Sequence, residues 1–216
     1  TDGAAAVREC AAEFVARSGA FVEFAAQGGQ CSAAHARYVT DTAAQRIMWL
    51  SQLRSTNGGN AAVAFEALVD SWAAEDRDIF VSFDLDAVSG ADAPVRSPSR
   101  VDAASFAASL SPCVWQGVSA VGTIGLSAKE ALDICMIAGR SRNVCAARAP
   151  ACTVRLLMIV SACAGAGVGA VVVLMDLSEY NPEVELWRTG RLVTNMFYFF
   201  CLGFAKRQRQ SAAPDA

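Results

Sequence analysis

Ile79-Phe80-Val81-Ser82-Phe83-Asp84-Leu85-Asp86-Ala87-Val88 is the stretch that decides how this sequence folds. An aromatic and β-branched run reads as a strand, and aspartate is disfavoured inside strands, so Asp84 and Asp86 mark where it leaves the sheet. Side chains two apart on a strand share a face, which aims both carboxylates at one point. Two converging anions repel unless a cation lies between them, and a hard or borderline metal ion answers that need. The simpler alternative is an aspartate that caps the following turn beside a solvated neighbour.

Working outward, short apolar strands alternate with helical segments. Upstream, Phe21-Val22-Glu23-Phe24-Ala25 reads as a strand ending in the turn Gln27-Gly28-Gly29-Gln30, and Val7, Cys10, Phe14 and Val15 predict a helix over 4–18. Ser32 is placed to cap a helix through Val39, Ile47-Met48-Trp49-Leu50 reads as a second strand, and Asn60 can cap a helix over 61–74 after the turn Asn57-Gly58-Gly59-Asn60. Downstream, Ser127 and Glu130 have capping-box spacing for a helix through Met136. Val171 to Asp176 reads as a buried strand, and 189–203 as an apolar packing helix. This alternation predicts an α/β protein with a mostly parallel sheet covered on both faces, whose ligands gather at the carboxyl ends of the strands.

Composition limits the function. The 216 residues fit one domain, 54% apolar and 18% charged, with a formal net charge of −3. That balance argues against a nucleic-acid partner. The basic cluster Lys206-Arg207-Gln208-Arg209 reads as a frayed, solvated tail. Eight cysteines without a C-x-x-C pair, and no signal peptide, read as reduced thiols of a cytoplasmic protein. The uncharged run 156–175 has the length of a membrane span, but its glycine-rich middle is weakly hydrophobic, and no membrane association is expected.

Asp176 and Glu179 stand at the end of the later strand, which a doubly wound sheet puts on the same rim as Asp84 and Asp86. A carboxylate there can pair with a planar cation such as an amidinium; otherwise Asp176 or Ser178 caps a turn and Glu179 is solvated. His35, the lone histidine, reads as a helix-surface or half-buried residue before it reads as a ligand.

Together these blocks resemble a family. Val81-Ser82-Phe83-Asp84-Leu85-Asp86-Ala87 is similar to the S-F-D-x-D-x signature of the ureohydrolases (arginase, agmatinase, formimidoylglutamase). Gly125-Leu126-Ser127-Ala128-Lys129-Glu130-Ala131-Leu132 resembles their later G-L-T-x-x-E helix start. Asp176-Leu177-Ser178-Glu179-Tyr180-Asn181-Pro182, with Arg188-Thr189-Gly190-Arg191-Leu192, resembles their D-x-x-E-x-N-P segment and terminal helix. Phe21 to Gly28, Gln30-Cys31-Ser32 and Ser89-Gly90-Ala91-Asp92-Ala93-Pro94 look most like formimidoylglutamase.

The resemblance implies a three-layer α/β/α sandwich, a binuclear manganese site, and hydrolysis of a linear amidine, N-formimidoyl-L-glutamate, to L-glutamate and formamide. Asp84 would bridge the two ions, Asp86 would bind one, and Glu179 would receive the amidinium. A homo-oligomer is a further expectation.

Two departures qualify it. The family's G-G-D-H and D-A-H-x-D motifs do not occur, so this chain is expected to begin after them, and two aspartates without the other four ligands hold manganese poorly. Residues 95–116 and 145–170 look like inserted sequence, expected to be retained introns; the first begins with Val and ends with Gln, compatible with GT and CAG splice borders. The alternatives are an inactive or incomplete ureohydrolase and a haloacid-dehalogenase-type magnesium phosphatase. In the latter, Asp84 would be the nucleophile and Asp86 the general acid.

Overall fold

Strand β1 (Phe21–Ala26) and strand β2 (Gln45–Trp49) run parallel, with Phe21 opposite Gln45 and Phe24 opposite Met48. The computed structural model describes residues 20–29, 31–56, 58–77, 79–93, 124–144, 156–161, 172–178, 180 and 187–212. The predicted helix over 4–18 therefore lies outside the described residues. A bulge interrupts β1 between Phe24 and Ala26, where Ala25 takes a φ of 59°. That left-handed conformation is costly for alanine, and Ala25 is buried, so packing holds it.

Helix α1 (Ala33–Asp41) begins where expected, with the Ser32 side chain accepting from the His35 N–H. Helix α2 (Leu50–Thr56) continues directly from β2, an element the sequence pattern did not mark. The turn that follows places Gly58 and Gly59 at φ values of 62° and 83°, which glycine adopts without strain. Asn60 then caps helix α3 (Ala61–Ala74) through the Ala62 N–H at 2.9 Å.

Strand β3 (Val81–Asp84) is followed by a single 3-10 turn (Leu85–Ala87). Helix α4 (Ala128–Arg140) opens with the predicted capping box: Ser127 accepts from the Glu130 N–H while Glu130 accepts from the Ser127 N–H. Strands β4 (Leu156–Ser161) and β5 (Val172–Ser178) complete a three-stranded sheet in the order β3-β5-β4. β5 runs parallel to β3 and antiparallel to β4. The described parts of the apolar run 156–175 are thus strands. No helix among the described residues is long and apolar enough to cross a membrane.

Helix α5 (Arg188–Ala212) corrects the sequence reading at its far end. Lys206 to Arg209 is helix, not a frayed tail: Arg207 is buried, lies over the Phe204 ring and donates to the Ser141 carbonyl at 3.0 Å. An arginine buries its stem readily when its head reaches an acceptor, and Ser141 caps the carboxyl end of α4. α4 and α5 approach closely because each has a glycine at the crossing. A Cβ at Gly139 would meet the Phe200 carbonyl, and one at Gly203 would meet the Met136 carbonyl. One apolar core joins most of these elements, including Ala25 of β1, Val81 and Phe83 of β3, Ile134 of α4, Met175 and Leu177 of β5, and Phe200 of α5.

Candidate active site

Asp84 ends β3, and its exposed carboxylate caps the 3-10 turn, with Oδ1 accepting from the Asp86 N–H at 2.8 Å. The shared strand face expected for the two aspartates is not what is found. The strand ends at Asp84, and Asp86 belongs to the turn, half-buried. The turn-cap reading of Asp84 is therefore correct as far as it goes. It leaves Asp86 two residues away on a chain that has already bent.

Several elements converge on this turn. Gln27, just beyond β1, sets its Nε2 at 3.4 Å from both the Asp86 and Ala87 carbonyls. Val88 and Leu126 form a parallel bridge, with Leu126 N–H donating to Ala87 and Ser89 N–H to Leu126, each at 2.8 Å. A Cβ on Gly125 would collide with the Val88–Ser89 backbone, so only glycine lets these two runs touch. Asp92 Oδ2 accepts from the Ala128 N–H at 2.8 Å, a second acidic contact at the start of α4. In β5, Ser178 registers with Asp84 and Asp176 with Ser82. The carboxyl ends of β3 and β5 thus lie side by side, as predicted. Asp176, 1% exposed, sits within the strand and not at a turn, so the capping alternative does not hold for Asp176. Glu179 lies outside the described residues. Only the Gln-Gly-Gly-Gln turn after β1 signals the Gln27 contact in the sequence.

Glu130 is the other buried acid nearby, and it is already satisfied. Arg54 Nη2 donates to its Oε2 at 2.8 Å, the Ala61 N–H to Oε1 at 2.9 Å, and the Ser127 N–H and hydroxyl to Oε2 at 2.8 and 3.0 Å. Burial alone would raise its pKa, but these hydrogen bonds prevail and hold the carboxyl at about 2. Arg54 also donates to the Gly125 carbonyl at 2.8 Å, so the cluster fixes the glycine run against the aspartate turn.

Asp84 and Asp86 are hard oxygen donors, the right chemistry for manganese or magnesium. They are too few, however: among the described residues no three of His, Cys, Asp and Glu come together as ligands. These residues alone do not make a metal centre. His35 is not grouped with them as a third ligand among the described residues; its Nε2 lies 2.6 Å from Glu23 Oε1. Nor does it activate Cys31, whose thiol is pushed up by burial and by the Glu23 charge, the reverse of a nucleophile's tuning. A cavity of about 320 Å³ lined by Phe21, Gln45, Arg46 and Trp72 opens at the amino ends of β1 and β2, the far end from Asp86.

No family model matches the chain, and no curated protein does. Solved structures do. Formiminoglutamase from Trypanosoma cruzi superposes with a TM-score of 0.55 at 34% sequence identity, covering 87% of this chain and 45% of that one. A T. cruzi structure described as an arginase superfamily protein matches at the same identity and TM-score. The chain belongs to the arginase superfamily. Within that superfamily it is similar to formimidoylglutamase. The enzyme of that name from Bacillus subtilis shares the fold at a TM-score of 0.52 and 14% identity, over 86% of this chain and 41% of its own. The arginase-superfamily chain described here thus spans less than half the length of the structures it matches. The T. cruzi enzyme has been solved with Mn2+. Nothing in these similarities supports the haloacid-dehalogenase reading.

Proposed function

We propose that this chain carries part of a ureohydrolase active site, one that hydrolyses the C–N bond of a linear amidine. The observation that carries this reading is the aspartate turn at the joined carboxyl ends of β3 and β5, in a chain 34% identical to a formiminoglutamase. The substrate proposed is N-formimidoyl-L-glutamate, which water splits into L-glutamate and formamide. Asp84 and Asp86 are proposed to hold manganese together with ligands from outside the described residues; bound manganese supplies hydroxide at neutral pH and Lewis acidity.

Within the chain, Glu179 is proposed to receive the amidinium, a planar cation suited to a carboxylate's two oxygens. Gln27, Gly125 and the Glu130 cluster hold the aspartate turn in place. Their task is orientation, and none of them needs to move a proton.

The test supplies the ligands. The part of the T. cruzi formiminoglutamase that precedes its matched region is fused ahead of this chain, and manganese content and amidine hydrolysis are measured on the fusion and on the 216-residue chain. The expected result is little stoichiometric manganese in the chain alone. In the fusion, manganese binds and N-formimidoyl-L-glutamate is hydrolysed in preference to arginine or agmatine. A manganese-loaded fusion that hydrolyses none of them defeats the proposal, and preference for arginine reassigns the substrate.

A further inference from the structure

Val144, four residues beyond α4, forms a lone parallel bridge with Ile79, and the Ile79 N–H donates to the Asn143 carbonyl at 2.6 Å. Two residues along, Val81 registers with Met175 of β5. Partners in a parallel pair advance one for one. With Val144 on the edge of β3 that β5 occupies, the line opposite β3 has room for one residue between Val144 and Met175, and the residue that precedes Met175 is Leu174. The buried faces agree. Ile79, Val81 and Phe83 are buried on β3, and their partners Val144, Met175 and Leu177 are buried opposite them. Alternation puts Val144 and Met175 on the same face when a single residue separates them. The start of β5, residues 172–174, registers with β4 and has no register partner on β3.

We infer that Val144 and the β3-paired part of β5 are one strand, opened between Val144 and Leu174, and that residues 145–173 are an insertion the surrounding fold does not require. Strand β4 lies wholly inside that insertion and is the one antiparallel strand among the described residues. The inserted block expected from sequence ended at 170; register moves its end to 173. This inference comes from strand pairing alone and stands whether or not the catalytic reading does.

Three deletions in the full chain test it, joining Val144 to Val173, to Leu174 or to Met175, with melting midpoints followed by circular dichroism. A one-residue slip turns every following side chain to the opposite face. The Val144–Leu174 junction is expected to melt no lower than the full chain and roughly 4 °C or more above both slipped junctions. In the full chain, Ile159→Pro, which breaks the β4 ladder, is expected to leave the midpoint within about 2 °C. The inference is overturned if the in-register deletion melts below the full chain, fails to exceed the slipped ones, or does not fold. A fall of more than that margin in Ile159→Pro overturns it as well.

Discussion

Two acidic sites flank the Val88–Leu126 bridge, and they are built in opposite ways. Glu130 is buried and accepts hydrogen bonds from Arg54, Ala61 and Ser127, so its charge is spent on joining α2, α3 and α4. Asp84 is exposed at the end of a strand and accepts from its own turn through one oxygen. A buried carboxylate surrounded by donors is a structural joint; an exposed one beside a second carboxylate at a strand's carboxyl end is placed for a ligand. The difference predicts that the first governs stability and the second governs chemistry.

The largest effect expected is from Glu130→Ala. It leaves Arg54 partly buried without its carboxylate and strips the Ala61 N–H of its acceptor, which should cost about 3–5 kcal/mol. Denaturant unfolding measures this, and a loss under about 1 kcal/mol would place Glu130 in the same class as Asp84. Acid probes the same joint without a substitution. A carboxyl whose pKa is lower in the folded chain stabilises it above the unfolded pKa, and that contribution fades as pH falls toward the folded value. For Glu130, held at about 2, on the order of 3 kcal/mol present at neutral pH should be lost progressively between about pH 4.5 and 2. In Glu130→Gln that segment of the pH–stability curve should flatten.

Much of this contrast was legible in the sequence, for local reasons. The aromatic and β-branched run before Asp84 announced β3, and Ser127 with Glu130 announced a capping box, because both signals act within a few residues. The rest depends on contacts across long separations. Arg54 and Ala61 lie 76 and 69 residues from Glu130, so nothing local marks that acid as the hub of three helices. An i, i+2 spacing reads Asp86 as strand because it cannot reveal that the backbone bends at Leu85. Lys206 and Arg209 make Arg207 read as part of a solvated tail, while its actual environment is Phe204 and the end of α4.

A smaller effect than the Glu130 losses belongs to the helix crossing behind the site. Gly139→Ala and Gly203→Ala each press a methyl group onto a backbone carbonyl of the facing helix, and backbone cannot turn aside as a side chain does. About 1–3 kcal/mol of destabilisation is expected from each. The double variant should lose less than the sum, because separating the helices once relieves both contacts. Additive losses would mean that the two glycines pack independently.

The smallest effect on stability is expected at Asp84, and that is what makes it the sharpest test of the contrast. Asn caps a turn about as well as Asp, so Asp84→Asn retains an acceptor for the Asp86 N–H. Unfolding free energy should stay within about 0.5 kcal/mol of the parent. The same change removes one anionic oxygen from the pair proposed to hold manganese. In the fusion that supplies the other ligands, metal content and amidine hydrolysis should therefore fall together, the latter by roughly a hundredfold or more. A variant that keeps its manganese and its rate would show that Asp84 serves the turn alone. One that unfolds would show that its carboxylate, like that of Glu130, is structural.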